Sequence, residues 1–389
     1  MFVVGVDRSW LETPFLRHHF LIKTEEEIAR LREAGIREVT IDPTLSLQPE
    51  SPSTSASSET SPRPESPSEA PSPPGVTEQG MEAARRVRDQ ALQALQRLFD
   101  GTKTGAPLDL AEVGAAVEGL IDQLVEDRTA IMLLTQMSQT GRTDRDPCAH
   151  ALDVSVLSLA IGQVHGLPLS TLKQLGMGAM VHDVGELQIP PELFAKTPPF
   201  MDEDRTIIER HPLAGVAILN KAANFPETVR RIMAEHHERL DGSGYPMRLR
   251  NPEIAIPSQI VGLIERYDAM VSARSTRPAL PIRQAIAELY QHERRNHFDR
   301  TLVDRLIQCV GVFPLGAAVE LNTGERGMVI AVNPDARLKP TVKVMLDPSG
   351  QRYPTPWIID LSALAPDAPP RAITRVLEEA PTDWRDLFI

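Results

Sequence analysis

Apolar residues recur at helical spacing through the middle of the chain. EAARRVRDQALQALQRLF (82–99) sets Val87, Ala91, Leu95 and Leu98 on one face, and LAEVGAAVEGLIDQLVED (110–127) continues the theme. Further apolar helical runs are HALDVSVLSLAIGQ (150–163), STLKQLGMGAMVHDVG (170–185), ETVRRIMAEHHE (227–238) and VGLIERYDAM (261–270). The pattern predicts a mainly α domain over about residues 81–312. After Phe313 the period changes. GAAVEL, GMVIAV and TVKVML are short β-branched runs separated by NTGERG and NPDARLKP, which predicts a small antiparallel β module over 313–389.

The N-terminal end reads differently again. FVVGV (2–6) and REVTI (37–41) predict short strands, and TEEEIARLREAG (24–35) predicts a helix with Thr24 as N-cap, Glu27 completing a capping box and Gly35 ending it. Residues 1–45 are therefore expected to form a small α/β accessory module. Residues 46–80 are Pro, Ser and Glu with almost no large apolar side chains, too little to offset the ordering entropy, so a disordered linker is expected there.

Composition narrows the function classes. A net charge of −12 argues against a nucleic-acid polymer or a general membrane surface as partner. Cys148 and Cys309 are the only cysteines, which excludes a disulfide framework and a thiolate zinc cluster. No apolar run approaches the roughly 20 residues needed to span a bilayer, and MFVVGVDRSW lacks an export signal, so a cytoplasmic location is expected.

The candidate chemistry lies where polar residues interrupt these apolar helices. His150 follows Asp146, His182 and Asp183 close one run, His211 opens HPLAG, His236 and His237 close another, and Glu265 and Asp268 interrupt a third. Burying so many ionisable groups is costly unless they are paired or bound to metal. Imidazole and carboxylate projecting inward from several helices is a standard way to build a multi-metal centre, and a donor set without thiolate suits iron, manganese, nickel or zinc. Two neighbouring ions can activate a water and clamp a phosphate for in-line attack, so the composition suggests phosphoester hydrolysis.

These residues resemble a known family. His150, His182-Asp183 and a later carboxylate look like the HD superfamily of metal-dependent phosphohydrolases. HPLAG (211–215) and HHERLDGSGYP (236–246) look like its HD-GYP subgroup, whose members hydrolyse the bacterial second messenger cyclic di-GMP. The resemblance covers roughly residues 125–312, and the N-terminal GVDRSWLETPFLRHHFLI is similar to a small domain of unknown function that often precedes HD-GYP domains. It implies a helical HD-type bundle holding two or three divalent ions, iron or manganese. The implied ligands are His150, His182, Asp183, His211, His236, His237 and Glu265, with Asp146 standing where some members ligate a third ion. His182 and Asp183 would be the catalytic pair, Asp183 bridging the ions and positioning the hydroxide that attacks phosphorus to give pGpG, GMP or both. Gly244, Tyr245 and Pro246 would shape the substrate cleft, and Arg274 and Arg277 are the candidates for holding the dinucleotide phosphates. Glu238, Asp241 and Asp268 would orient neighbouring side chains. His18, His19, His165, His292 and His297 stay outside this constellation.

Several positions depart from the family's pattern. The family usually reads HDIGK, but here Glu186 replaces the lysine. Glu265 replaces the aspartate of DxYDA, Cys148 replaces an aromatic, and SARSTRPAL keeps two arginines of SxRPYR without the Pro-Tyr between them. An alternative therefore stands beside the enzyme: a degenerate module that binds metal or nucleotide and signals through protein contacts, a diguanylate cyclase or a second copy in a homodimer being the natural partners.

Overall fold

The computed structural model describes residues 2–6, 20–21, 39–42, 77–106, 108–141, 146–195, 201–221, 225–273, 278–333, 336–364 and 370–377. The chain divides into two compact units, residues 1–72 and 73–389. In the first, β1 (Phe2–Val6) lies between β2 (Phe20–Leu21) and β3 (Val39–Asp42), antiparallel to both. β1 coincides with the expected first strand and β3 overlaps the second. The expected helix at 24–35 lies outside the described residues, as does most of the expected linker.

The second unit opens with α1 (Glu78–Lys103), which starts three residues ahead of the expected boundary because the Thr77 side chain accepts from Gly80 N and caps it. Its buried stripe of Met81, Ala84, Ala91, Leu95 and Leu98 follows the sequence periodicity, with one exception. Arg88 also faces inward, where it donates to Asp153 Oδ1 at 2.7 Å and Thr135 Oγ1 at 2.8 Å, while Ser138 Oγ donates to the other Asp153 oxygen. α2 (Ala111–Glu126), α3 (Arg128–Gly141), α4 (Pro147–His165) and α5 (Leu169–Val181) follow. α4 is the hub, with every residue from Ala151 to Ile161 buried and α1, α3 and α5 packed round it. A helix apolar on all sides is expected at the centre of a domain. Among the described residues it is the one helix long and apolar enough to cross a membrane, and most of it is buried in the bundle.

A 3₁₀ turn (Val184–Gln188), α6 (Pro191–Ala195), α7 (Asp202–Ile208), α8 (His211–Leu219), α9 (Glu227–Glu235), α10 (Ile256–Val271), α11 (Ile282–Arg294) and α12 (Arg300–Val310) complete the bundle. α10 and α12 both pack on α4, and α9 bridges α5, α8 and α10. β4 (Ala318–Leu321), β5 (Arg326–Ala331), β6 (Thr341–Leu346), β7 (Arg352–Asp360) and β8 (Ile373–Val376) form an antiparallel sheet in the order β7-β6-β5-β4-β8. Ala318, Met328 and Met345 build a small apolar core on it. The expected helical core and C-terminal β module are both present.

Candidate metal centre

Three of the candidate histidines sit at helix ends, and this placement sets their chemistry. The last carbonyls of a helix have no partner within it and accept readily from a nearby ring N–H. His182, next after α5, donates Nδ1–H to Ala179 O at 2.7 Å. His211 does the same to Ile208 O, the last residue of α7, at 2.8 Å, and His236 to Met233 O of α9 at 3.0 Å. With Nδ1 committed as donor, each ring turns an Nε2 lone pair inward. His150, in the first turn of α4, is held differently, its Nδ1 lying 2.7 Å from Asp268 Oδ2.

All these lone pairs converge on Asp183, and its carboxylate divides them. Oδ1 faces His211 Nε2 at 3.3 Å and His236 Nε2 at 3.4 Å, whereas Oδ2 faces His182 Nε2 at 3.3 Å and His150 Nε2 at 3.8 Å. Glu265 Oε2 joins the second set, 2.8 Å from His150 Nε2 and 3.3 Å from His182 Nε2. Two groups result, each with ligand atoms within 4.8 Å of one another: Asp183, His211, His236 and His237, and His150, His182, Asp183 and Glu265. Asp183 is the member common to both.

The donor set fits divalent cations. His211 and His236 point imine nitrogens at each other across 3.2 Å, and buried Asp183 Oδ1 has no hydrogen-bond donor among the described residues. Acceptors packed against acceptors are stable only around positive charge. Burial pushes the His236 and His237 pKa values down, with neighbouring imidazoles adding to the effect, so both rings stay neutral and able to ligate. On the other side burial also opposes charge on His182, but the Asp183 and Glu265 carboxylates outweigh it and raise the pKa to about 10. Asp183 and Glu265 are held well below the carboxylate range despite burial, chiefly by His182 and His150 respectively.

Close backbone approaches hold the pieces together. A Cβ on Gly185 would collide with the His211 carbonyl oxygen and lie 2.5 Å from Gly215 N, so glycine lets the turn after Asp183 rest directly on α8. A Cβ on Gly262 would collide with the His236 carbonyl, so α10 meets the end of α9 there, one turn ahead of Glu265. A Cβ on Gly244 would come within 2.5 Å of His237 O, Glu238 Cα and Arg239 N, which folds the GSGYP loop tightly back on the paired histidines. Tyr245 then stacks on His237, ring centroids 4.6 Å apart and 23° from parallel.

The remaining expected residues fall in varied places. Asp268 Oδ2 stands 2.7 Å from His150 Nδ1. Glu238 is buried and orients backbone rather than a side chain, accepting from Met247 N at 2.7 Å and Leu249 N at 3.0 Å. Asp241 accepts from Ser243 N and Oγ and stands 3.5 Å from His297 Nε2. The Asp146 carboxylate caps α4 through the amides of Cys148 and Ala149, is exposed, and belongs to neither cluster. Glu186 is half-buried on the 3₁₀ turn, close enough for its charge to act on His211. Arg274 and Arg277 lie outside the described residues. Sequence reasoning missed Arg239, whose guanidinium donates to the His236 and Glu238 carbonyls and covers the Phe298 ring at 4.9 Å. It also missed Gly185 and Gly262, and Gln139, which donates to Asp268 Oδ1 at 2.8 Å; a glycine inside an otherwise apolar helix, as in VGLIERYDAM, was the available signal for Gly262.

Comparison with known proteins finds relatives along most of the chain. Residues 121–302 match the HD domain family, residues 1–113 a domain of unknown function (DUF3391), and residues 318–365 a KOW domain associated with HD domain. The chain is 28% identical over 364 residues to the cyclic di-GMP phosphodiesterase PA4108 of Pseudomonas aeruginosa, covering 93% of this chain and 86% of that one. It is 33% identical over 144 residues to the cyclic di-GMP phosphodiesterase response regulator RpfG of Xanthomonas campestris, covering 37% of this chain and 38% of that one. A 3'3'-cGAMP-specific phosphodiesterase 2 of Vibrio cholerae is 30% identical over 165 residues, 42% of this chain and 31% of its own. Among solved structures, the HDG"Y"P protein Bd1817 from Bdellovibrio bacteriovorus aligns with a TM-score of 0.48 at 19% identity, covering 59% of this chain and 72% of that one.

Proposed function

We propose a function from a fixed premise: the chain belongs to the HD-GYP family of HD-domain proteins. It is a metal-dependent phosphodiesterase whose substrate is cyclic di-GMP, opened to pGpG, GMP or both. The observation that carries this reading is the division of Asp183, one carboxylate oxygen facing His211 and His236 and the other His150 and His182. Divalent ions held there, iron or manganese for this donor set, would supply a water acidic enough to attack at neutral pH and a clamp on the phosphate oxygens.

The protein's own groups do the rest. Asp183 holds the two halves in register, and the helix-end carbonyls keep His182, His211 and His236 in the ligating tautomer. Partly exposed His150 and Glu265 edge the solvent-facing side, where a phosphodiester can approach. Gly244, Tyr245 and Pro246 wall the cleft beside His237, and Arg274 and Arg277 are the candidates for holding the dinucleotide. Asp146 accepts the α4 amides on Oδ1 and belongs to neither cluster, so two ions are proposed, with a third at Asp146 as the alternative that the metal content decides.

The test is cyclic di-GMP turnover by protein reconstituted anaerobically with iron or manganese, with metal content measured on the same sample and 3'3'-cGAMP as competing substrate. About two ions per chain with turnover is expected. His182→Ala and Asp183→Ala should lose metal and activity together; turnover retained by either removes the assigned site. One observation favours a second reading, a metal-loaded receptor without turnover: Glu186 puts negative charge beside His211 where the family carries lysine. Full loading with no hydrolysis selects that reading, and restored hydrolysis in Glu186→Lys would trace it to this charge.

A further inference from the structure

Gln139 lies deep in the bundle, only 1% exposed, and its amide serves no helix cap or backbone group among the described residues. It reaches from α3 to α10, donating Nε2–H to Asp268 Oδ1 at 2.8 Å. The opposite Asp268 oxygen meets His150 Nδ1 at 2.7 Å, so a continuous path runs from Gln139 through Asp268 to His150. Its direction is forced: a carboxylate only accepts, so the amide nitrogen must face it. Ser272 Oγ approaches the same Asp268 oxygen more distantly, at 3.4 Å.

Among the described residues His150 is held through a carboxylate, unlike three of the other histidines. His182, His211 and His236 are anchored on backbone carbonyls, which helix geometry fixes. A carboxylate anchor can rotate about its own side-chain torsions and needs a donor on its far oxygen to hold it still. Gln139 supplies that donor at a cost to folding, because its buried Oε1 finds no donor among the described residues. An apolar side chain of the same length would pack there without an unmet polar atom. A buried polar group that works against stability, at the end of a path to a ligand, points to a role in the site rather than in the fold.

We propose that Gln139 is a positioning residue for the His150 half of the centre, fixing Asp268 so that His150 Nε2 is presented to the ion shared with His182, Asp183 and Glu265. The inference rests on reading the cluster as a two-ion centre. It is tested by titrating the metal-free full chain with Mn²⁺, following free ion by its paramagnetic resonance signal, together with the thermal midpoint. In Gln139→Met, affinity at one of the two positions should fall about 10- to 100-fold, with the other unchanged and the metal-free midpoint equal or higher. Gln139→Leu, which likewise removes the donor to Asp268, should show the same selective loss. In a His150→Ala background, Gln139→Met should leave the remaining Mn²⁺ affinity unaltered. Wild-type affinity at both positions in Gln139→Met overturns the proposal, as does an equal loss in the His150→Ala background, which would mark a general packing role. Wild-type protein that binds no Mn²⁺ overturns the two-ion reading as well. Two-site binding without cyclic di-GMP turnover overturns only the enzymatic assignment.

Discussion

Gly185→Ala examines how the two halves of the centre are joined. The added methyl would lie 2.5 Å from Gly215 N and 3.0 Å from Gly215 Cα, and closer still to the His211 carbonyl oxygen. All three obstacles are backbone, so none can rotate away. Ordinary contact begins at 3.4 Å, so the turn and α8 must separate by at least 3.4 − 2.5, about 0.9 Å, and by more to clear the His211 carbonyl. Asp183 lies two residues before Gly185 and its Oδ1 now stands 3.3 Å from His211 Nε2, so this separation falls directly on the carboxylate common to both clusters. Overpacking of this kind costs about 1–3 kcal/mol of stability, and a displacement of about 1 Å at a reacting site costs on the order of 100-fold in rate. Gly215→Ala is the matched control. Its methyl would meet the end of the Met233 side chain at 3.1 Å, which can move, so a mild effect is expected. The assay is metal content per chain, turnover and thermal midpoint for both variants. A Gly185→Ala protein that keeps both ions and turns over within about twofold of wild type would refute the argument that this contact sets the site's geometry.

Two further outcomes follow from burial. Arg88→Met leaves Asp153 charged and buried, and should cost about 3–5 kcal/mol in urea unfolding; replacing both, as Arg88→Met with Asp153→Leu, should recover most of it, and a single variant as stable as wild type would contradict the pairing. The second concerns pH in metal-free protein. The His182 pKa is raised from 6.5 to about 10, so the stability this proton contributes is complete below pH 6.5 and is lost as pH rises through about 10. The thermal midpoint of chelated protein should fall across that window, metal-loaded protein should not show the fall, and Mn²⁺ binding near neutral pH should release protons. A flat midpoint for the chelated protein across the window would count against the His182 assignment.

What could be read in one dimension was whatever local chemistry decides. Helical periodicity located α1, α2, α4, α5 and α10, because an apolar stripe must face a core wherever that core lies. The same reading found the β-branched runs of the C-terminal sheet. His150, His182, Asp183, His211, His236, His237 and Glu265 stood out because each interrupts an apolar helix. Non-local distances could not be read. Arg88 looks like any surface arginine until Asp153, 65 positions away, is found against it. Glu238 was expected to steer a side chain and instead holds the amides of its own loop, a choice made by how Gly244 folds that loop. Asp146 has a ligand's chemistry, and spacing alone did not reveal that its Oδ1 also caps α4 through the amides of Cys148 and Ala149. Residue type and spacing determined which groups could bind metal. The tertiary structure alone decided that Asp183 would serve both sets of histidines, since that depends on glycine contacts bringing three helix ends within bonding reach of one carboxylate.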